Sequence, residues 1–524
     1  MNKKVLIPLI ISVAFSYQVD KGLESYLNYT NPNPNNSNEI IIDHSNKLNV
    51  TNSLKEALKD NALVKAAILQ YLMSDSDEQK YQTNYSPFVR FDSGYTHSLI
   101  PNGGLSAFTG TDIVEFSNVV SYGKKFNTGT TMALGMGNTY SDANDSALPP
   151  FKVSADPAKQ KPIVFVQFQQ ALLKNNFGIN DKNLEEILAN QTETKKALAK
   201  YDVSRLFAKA LFDYWDLIEK YRNICDTTIQ FNEYKKINQA VAKNIELGTL
   251  ESYYSNQFNA LIYGTQSTLK LDSFAYNSSA RNLLQTLSLP IGEKTKLKFI
   301  YLNETKPVLN VAKLLETAYA NRADYLQVNL ALESASKNIA ILKNELMPEA
   351  KLSYQLTGLG DDESFSKAFG DAASLKYSNQ EVKFAITMLL DDKNTKIKLR
   401  DAMIQYEQVK LQKELLTRQI QIEVLNATEQ IDSLYQSLVN AKKANEEAQI
   451  YYSETIKKLE QGRINILSIK DAIDMMINTR KGYTKVLLGY NLSLIQLDLV
   501  TNTIFDTYKV DTNAYINSFM EENK

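Results

Sequence analysis

Residues Asn394 to Gln461 read NTKIKLRDAMIQYEQVKLQKELLTRQIQIEVLNATEQIDSLYQSLVNAKKANEEAQIYYSETIKKLEQ. The stretch holds no proline and no glycine, so nothing in it breaks a helix. At 1.5 Å per residue it predicts one helix roughly 100 Å long, far beyond the usual globular helix. Stepping by seven from Leu399 gives Tyr406, Lys413, Ile420, Ala427, Leu434, Ala441 and Ala448, an apolar series broken only at Lys413. A sustained seven-residue repeat predicts coiled-coil-like packing, and the alanines predict close approach of a neighbour.

A second stretch without proline or glycine runs from Ile179 to Leu247. The two share their surroundings. With Asn61 aligned to Arg322, residues 61–87 match 322–348 without a gap, Ala62 opposite Ala323 and Pro87 opposite Pro348. Each proline ends a helical segment and opens a short alternating run, as a residue without an N–H should. A polar loop, a second alternating run and a long helix follow in both copies, and glycine interrupts each helical stretch late, at Gly248 and Gly462. This order predicts two structural repeats. Shorter helical segments, about 53–82 and 250–287 in one half and about 312–347 and 464–507 in the other, sum to the lengths of the long helices. Two short helices are therefore expected end to end beside each long one.

The first repeat thus covers residues 48–292 and the second 312–508, joined by a linker at 293–311. Residues 17–47 are polar and turn-rich and read as a flexible extension; residues 509–524 form a C-terminal tail. Residues 1–16 read as a signal peptide, with Lys3 and Lys4 before the apolar run Val5–Phe15 and small residues at Ala14 and Ser16.

Four runs alternate in polarity. Near 87–97, Val89, Phe91 and Tyr95 alternate with Arg90 and Asp92; near 163–171 the run is apolar on both faces at its start. Near 349–358, Ala350, Leu352, Tyr354 and Leu356 alternate with Lys351, Ser353, Gln355 and Thr357. Near 381–389, Val382, Phe384, Ile386 and Met388 alternate with Glu381, Lys383, Ala385 and Thr387. Such strands suit lipid on one face and water on the other, and each is about long enough to cross a bilayer at a tilt. Beyond residue 16 nothing approaches the run of about 18–20 apolar residues that a membrane helix needs. Four strands cannot close a wide barrel, and lipid does not tolerate an open sheet edge, so several copies must share one wall. Three copies would supply twelve strands. Residues 113–141 read as an extra hairpin, expected outside the membrane.

Composition excludes other classes. A net charge of -1 and a pI near 6.3 leave no basic surplus for nucleic acid. Cys225 is the sole cysteine, and His44 and His97 are the only histidines, so no disulfide, thiolate zinc site or multi-histidine metal site is expected, and no cofactor. Asp361-Asp362-Glu363 lies among Gly358, Gly360 and Gly370 and reads as a solvated loop between strands. No nucleotide-binding loop, nucleophile elbow or metal-helix motif occurs, which argues against an enzyme.

Several stretches carry a resemblance. They are Leu54-Lys55-Glu56-Ala57-Leu58-Lys59-Asp60-Asn61, Gln170-Ala171-Leu172-Leu173 with Phe177-Gly178, Tyr214-Trp215-Asp216-Leu217 and Leu247-Gly248-Thr249-Leu250-Glu251-Ser252. The second half adds Asn321-Arg322-Ala323-Asp324, Leu346-Met347-Pro348, and Gly462-Arg463-Ile464-Asn465-Ile466-Leu467 with Asp471-Ala472. In this order the chain resembles the outer membrane efflux protein family, the TolC-like channel-tunnels, from about residue 48 to 508. The resemblance implies a mainly α fold with a β-barrel part: a homotrimer whose 12-stranded barrel in outer-membrane lipid continues as a helical barrel in the periplasm. It implies an exit duct for a tripartite efflux or type I secretion system, docked to a periplasmic adaptor and an inner-membrane transporter. Gly248, Thr249, Leu250, Gly462, Arg463 and Ile464 become hairpin tips and docking contacts, with helix-to-strand breaks at Pro87 and Pro348. Asp471 matches an acidic position at the family's periplasmic constriction; three copies there would crowd like charge and act as a gate. The chain departs from the family where Ala171 and Met388 replace a proline before the long helices, where Tyr254 and Ser468 replace a carboxylate after the tip, and where Arg463 stands one residue early. The rival reading is an exported periplasmic coiled-coil scaffold without a pore.

Overall fold

The computed structural model describes residues 58, 61–101, 112–144, 159–289, 303–461, 463–464, 466–513 and 516–517, with the short stretches 40–42 and 295–297. The signal peptide (1–16) and Gly462 lie outside the described residues. In chain order the elements are β1 (Ile40–Ile42), α1 (Ala62–Leu72), α2 (Ser76–Gln82), β2 (Phe88–Leu99), β3 (Asp112–Lys125), β4 (Thr130–Asn144), β5 (Lys159–Ala171), α3 (Ile179–Glu246) and α4 (Tyr253–Thr286). There follow β6 (Thr295–Leu297), α5 (Val311–Asn321), α6 (Ala323–Glu345), β7 (Glu349–Leu359), α7 (Phe365–Ala373), β8 (Tyr377–Thr387), α8 (Lys393–Glu460), α9 (Ile466–Val500) and α10 (Ile504–Tyr508).

The long helices α3 and α8 have 68 residues each and end within one residue of the glycine-free stretches that foretold them. None of the eight seven-spaced residues of α8 is exposed, and Ile420, Ala427 and Ala448 are buried. Lys413, the break in the series, lays its ammonium 6.0 Å from the ring centre of Tyr325. It covers the seam with its aliphatic stem and leaves the charge over an aromatic face.

Contacts divide the chain into two compact units. A sheet unit holds residues 72–197 and 324–416, and a helical unit holds 1–71, 198–323 and 417–524. Each draws on both sequence repeats, because α3 and α8 each supply residues to both.

The sheet unit contains one six-stranded sheet in the order β2-β3-β4-β5-β7-β8, antiparallel throughout. The first half therefore supplies four strands to this sheet and the second half two. The hairpin expected at 113–141 forms β3 and β4 and lies between β2 and β5, hydrogen-bonded to both along their lengths. Its alternation is diluted by Gly123, Gly135 and Gly137, which weaken a strand signal. Pro87 follows Ser86, held in extended conformation at φ -68°, ψ 141°, as the residue before proline should be. Pro348 stands between α6 and β7.

In the helical unit the main core joins Tyr214, Leu217, Ile218 and Ile224 of α3, Leu269 and Leu283 of α4, Ile431 and Leu438 of α8, and Leu487, Leu488 and Tyr490 of α9. The aligned positions Asn61 and Arg322 are both buried at helix breaks. Asn61 caps α1, accepting from the Leu63 N–H at 2.8 Å and donating to the Thr286 carbonyl at 2.5 Å. Arg322 pairs with Glu423. Strands β1 and β6 pair in parallel, so the extension, expected to be flexible, and the linker share a three-residue ladder. Three β-branched residues, Ile40, Ile41 and Ile42, favour it.

Candidate functional site, a two-faced sheet and two helical tips

In an antiparallel ladder, directly paired residues project to the same face. Following the register across the sheet sorts its side chains. One face carries Val89, Phe91 and Tyr95 of β2, Phe116, Val120 and Tyr122 of β3, and Met132, Leu134 and Met136 of β4. It continues through Val164, Val166 and Phe168 of β5, Leu352, Tyr354 and Leu356 of β7, and Val382 and Phe384 of β8. These residues are not packed inside: Val89 is 72% exposed, Phe91 64%, Val382 70% and Phe384 60%. The reverse face carries Arg90, Asp92 and Thr96, then Glu115, Ser117 and Ser121, Thr139 and Ser141, Lys161 and Gln167, Lys351, Ser353 and Gln355, and Glu381 and Lys383. Arg90 and Asp92 pair on it at 2.8 Å. Among the described residues the sheet thus offers an apolar face that protein covers only at one end and a reverse that carries its charged groups, the arrangement of a wall between lipid and water. Among the described residues its outermost strands, β2 and β8, each have one free edge.

Helix α7 packs against the apolar face at the outer end of β7. An added Cβ at Gly358 or Gly360 would fall 2.1 Å or 2.0 Å from the Ala372 or Ala368 carbonyl, so glycine is what allows the helix to seat. The acidic cluster beside it is structural. Asp362 pairs by backbone with Gln160 and caps Ser364, and Asp361 lies 3.8 Å from Lys159. Among the described residues no group of three potential metal ligands occurs. Burial pushes the Cys225 thiol up to about 11, which disfavours the thiolate.

The proline missing before each long helix is replaced by other devices. Asn175 and Gly178 adopt positive φ ahead of α3, and Asp392 caps α8 by accepting from the Thr395 N–H at 2.9 Å.

The tips lie in the helical unit. Helix α3 ends with Gly248 at φ +70°, the Gly248 N–H bonded to the Ile245 carbonyl and the Thr249 N–H to the Asn244 carbonyl, each at 2.9 Å. This pair of bonds is a Schellman cap. Helix α8 ends on the matching long bond, Arg463 N–H to the Lys458 carbonyl at 2.9 Å. A small core sits behind the tips: Tyr234, Ile237 and Val241 of α3, Phe258 of α4, and Ile469, Ile473 and Met476 of α9. Leu250, Tyr254 and Ile464 pack on it, which fixes the turns. Tyr254, in place of the family's carboxylate, stacks on Tyr253 with ring centres 4.2 Å apart.

Asp471 faces away from this core. Its side chain is 74% exposed, with the Lys470 ammonium 3.6 Å away. The carboxylate held inward is Asp474, three residues later; it accepts from Tyr234 and Gln230 and pairs with Lys470 at 2.9 Å. Tyr234 is held far above the usual phenol range, by burial and by that carboxylate. Sequence reasoning missed a second polar group in the same unit. Asp226, almost fully buried, pairs with Arg480 at 2.7 Å, and Lys481 donates to Thr227 at 2.9 Å. Burial holds the Asp226 carboxyl above its ordinary range despite Arg480, Lys481 and Arg222, and it depresses Arg222. Only their position inside a continuous helical pattern was visible in sequence.

No protein-family model matches the chain, and no curated protein matches it. Solved structures do. The CusC transmembrane channel superposes with a TM-score of 0.60 at 16% identity over 86% of this chain and 91% of its own. The chain has the fold of these outer-membrane channels. The outer-membrane channel OprN gives a TM-score of 0.59 at 14% identity, covering 86% of this chain and 90% of that one. The open MtrE outer membrane channel of Neisseria gonorrhoeae gives 0.59 at 13%, covering 86% and 88%. Identities this low speak for the channel fold alone.

Proposed function

We propose that the chain is an outer-membrane channel subunit forming the exit duct of a tripartite efflux or type I secretion system. One observation carries the reading: a sheet whose apolar face is exposed apart from the end where α7 seats, whose reverse carries charge and whose two edges are unpaired among the described residues. In lipid an unpaired edge leaves a row of N–H and C=O groups without partners, at several kcal/mol each, so the wall closes only with further copies. Ile397, Ile404 and Leu411, spaced by seven on α8, are 49%, 51% and 58% exposed, a second seam left uncovered by the chain itself. The resemblance makes the assembly a homotrimer, with helices in the periplasm and tips at Gly248, Thr249, Leu250, Gly462, Arg463 and Ile464 that dock an adaptor and, through it, an inner-membrane transporter.

Carbonate washing of membranes followed by crosslinking tests this. The protein stays in the outer-membrane fraction until detergent is added and crosslinks to a trimer; release by salt or carbonate as a single copy would establish the pore-less scaffold instead. At the closed end, Asp471 from three subunits forms the gate. Replacing Asp471 by alanine lowers cation preference and weakens divalent block in single-channel recordings; unchanged recordings remove Asp471 from the gate.

A further inference from the structure

We infer that the β3–β4 hairpin is part of the membrane wall, its apolar face against lipid acyl chains, so that each subunit contributes six strands to the barrel. This rests on the outer-membrane reading proposed above, and it replaces a twelve-stranded trimer barrel with one of eighteen.

The first argument is depth. Strand β2 pairs with β3 from Phe88–Gly123 to Leu99–Asp112, its whole length, and β4 pairs with β5 from Thr130–Gln170 to Ser141–Lys159. Whatever depth β2 and β5 take, β3 and β4 take as well. Strands β3 and β4 have 14 and 15 residues, more than the roughly 9–11 that a tilted membrane strand needs. Val120, Tyr122, Leu134 and Met136 are 44%, 47%, 55% and 55% exposed on the same face as Val89 and Phe91.

The second argument is the slant of the apolar band. Val89, Tyr122, Leu134, Val166 and Leu356 stand at one level of the register. On β2 and β3 the band begins at that level. On β4 and β5 it begins one level nearer the helices, at Met132 and Phe168. On β7 and β8 it begins nearer still, at Leu352 and Ile386. Lys124, Gln170 and Gln380 flank it. A flat membrane cuts successive tilted strands at a shifting register, and β3 and β4 occupy the middle steps of that shift. A polar row, Ser93, Asn118 and Asn138, and beyond it an aromatic row, Tyr95, Phe116 and Tyr140, cross β2, β3 and β4 together. The inserted strands therefore follow β2 in detail. Aromatic rows of this kind mark the edge of the apolar layer.

The third argument is the turn. Strands β3 and β4 join through residues 126–129, closed by bonds from Phe126 N–H to the Thr130 carbonyl at 2.8 Å and from Gly129 N–H to the Phe126 carbonyl at 3.1 Å. The turn lies against the entry to α3: an added Cβ at Gly178 would fall 1.7 Å from the Asn127 carbonyl. Connections at the opposite end are long, residues 100–111 and 145–158. Short turns on the periplasmic side and long loops outside are the pattern of outer-membrane barrels.

Single cysteines in a Cys225→Ser background, labelled with an environment-sensitive fluorophore and reconstituted in brominated phosphatidylcholine vesicles, test the placement. Val120→Cys and Leu134→Cys are quenched as strongly as Val382→Cys on β8, while Ser121→Cys and Ala133→Cys on the reverse face are not. Quenching at residue 382 without quenching at 120 and 134 would put the hairpin outside the bilayer and sink the inference. No quenching at 382 either would sink the membrane reading beneath it. Excising residues 101–158 leaves β2 and β5 antiparallel and able to pair, and spin labels on Gln355→Cys then draw together between subunits by about one third, since barrel diameter follows strand number. An unchanged spacing would also overturn the inference.

Discussion

Replacing Phe384 by arginine prevents most of the chain from assembling in the outer membrane, whereas arginine at Gln355 is tolerated. Phe384 is 60% exposed in the middle of the apolar band on β8, paired with Leu352 and flanked on that face by Val382 and Ile386. Arginine at the midplane of the lipid face costs about 2–4 kcal/mol. At about 3 kcal/mol that is on the order of a hundredfold in an assembly equilibrium. Gln355 lies on the opposite face, paired with Glu381, where a new cation meets water and a carboxylate. The readout is the fraction of each variant recovered as crosslinked oligomer in the outer-membrane fraction. Equal recovery of the two variants would mean that the apolar face does not meet lipid.

Arg480→Met destabilises the helical unit by about 3–5 kcal/mol at neutral pH, because it leaves the buried Asp226 carboxylate without its paired guanidinium and with only the fields of Lys481 and Arg222. The pH dependence has a definite sign. Burial already holds Asp226 above the ordinary carboxylate range, and removing Arg480 raises it further. A group whose folded-state pKa is raised stabilises fully below its unfolded value and loses that contribution as pH rises through the folded value. The variant is therefore nearest to the parent in acid, where Asp226 is protonated, and falls behind as pH rises. Adding Asp226→Asn removes the orphaned charge, and most of the loss at neutral pH is recovered. Arg222 keeps the field of Glu304 in that double variant. Urea unfolding of the detergent-solubilised protein at two pH values measures all of this; a loss in Arg480→Met that did not depend on pH would show that Arg480 does not set the proton affinity of Asp226.

These two experiments probe different kinds of information. The apolar face of β7 and β8 was legible, because alternation at period two is local: Leu352, Tyr354, Val382 and Phe384 declare their side within a few residues. The long helices were equally legible. Proline and glycine punctuate the chain directly, and α3 and α8 stop where Gly248 and Gly462 follow them. The turn after α3 could be read from Gly248, because a left-handed residue is needed to turn back and glycine takes that conformation without strain.

Other features were not local. The hairpin at 113–141 was visible as strands, but its insertion between β2 and β5 depends on which distant edge offers a matching row of hydrogen bonds, and no periodicity encodes that choice. Asp226 and Arg480 each read as one charge on a helix until α3 and α9 packed together and excluded water from both. Asp471 and Asp474 differ by less than one helical turn; only packing against Tyr234 decided which of them faces inward.

By itself, then, the sequence determined the lengths and ends of the two long helices and the polarity of β2, β7 and β8, because propensity, period and chain breaks act over a few residues. Tertiary structure alone decided the order of strands in the sheet and the partners of the buried charges. Both depend on contacts between residues far apart in the chain, which form only once the intervening chain has folded and solvent has been removed.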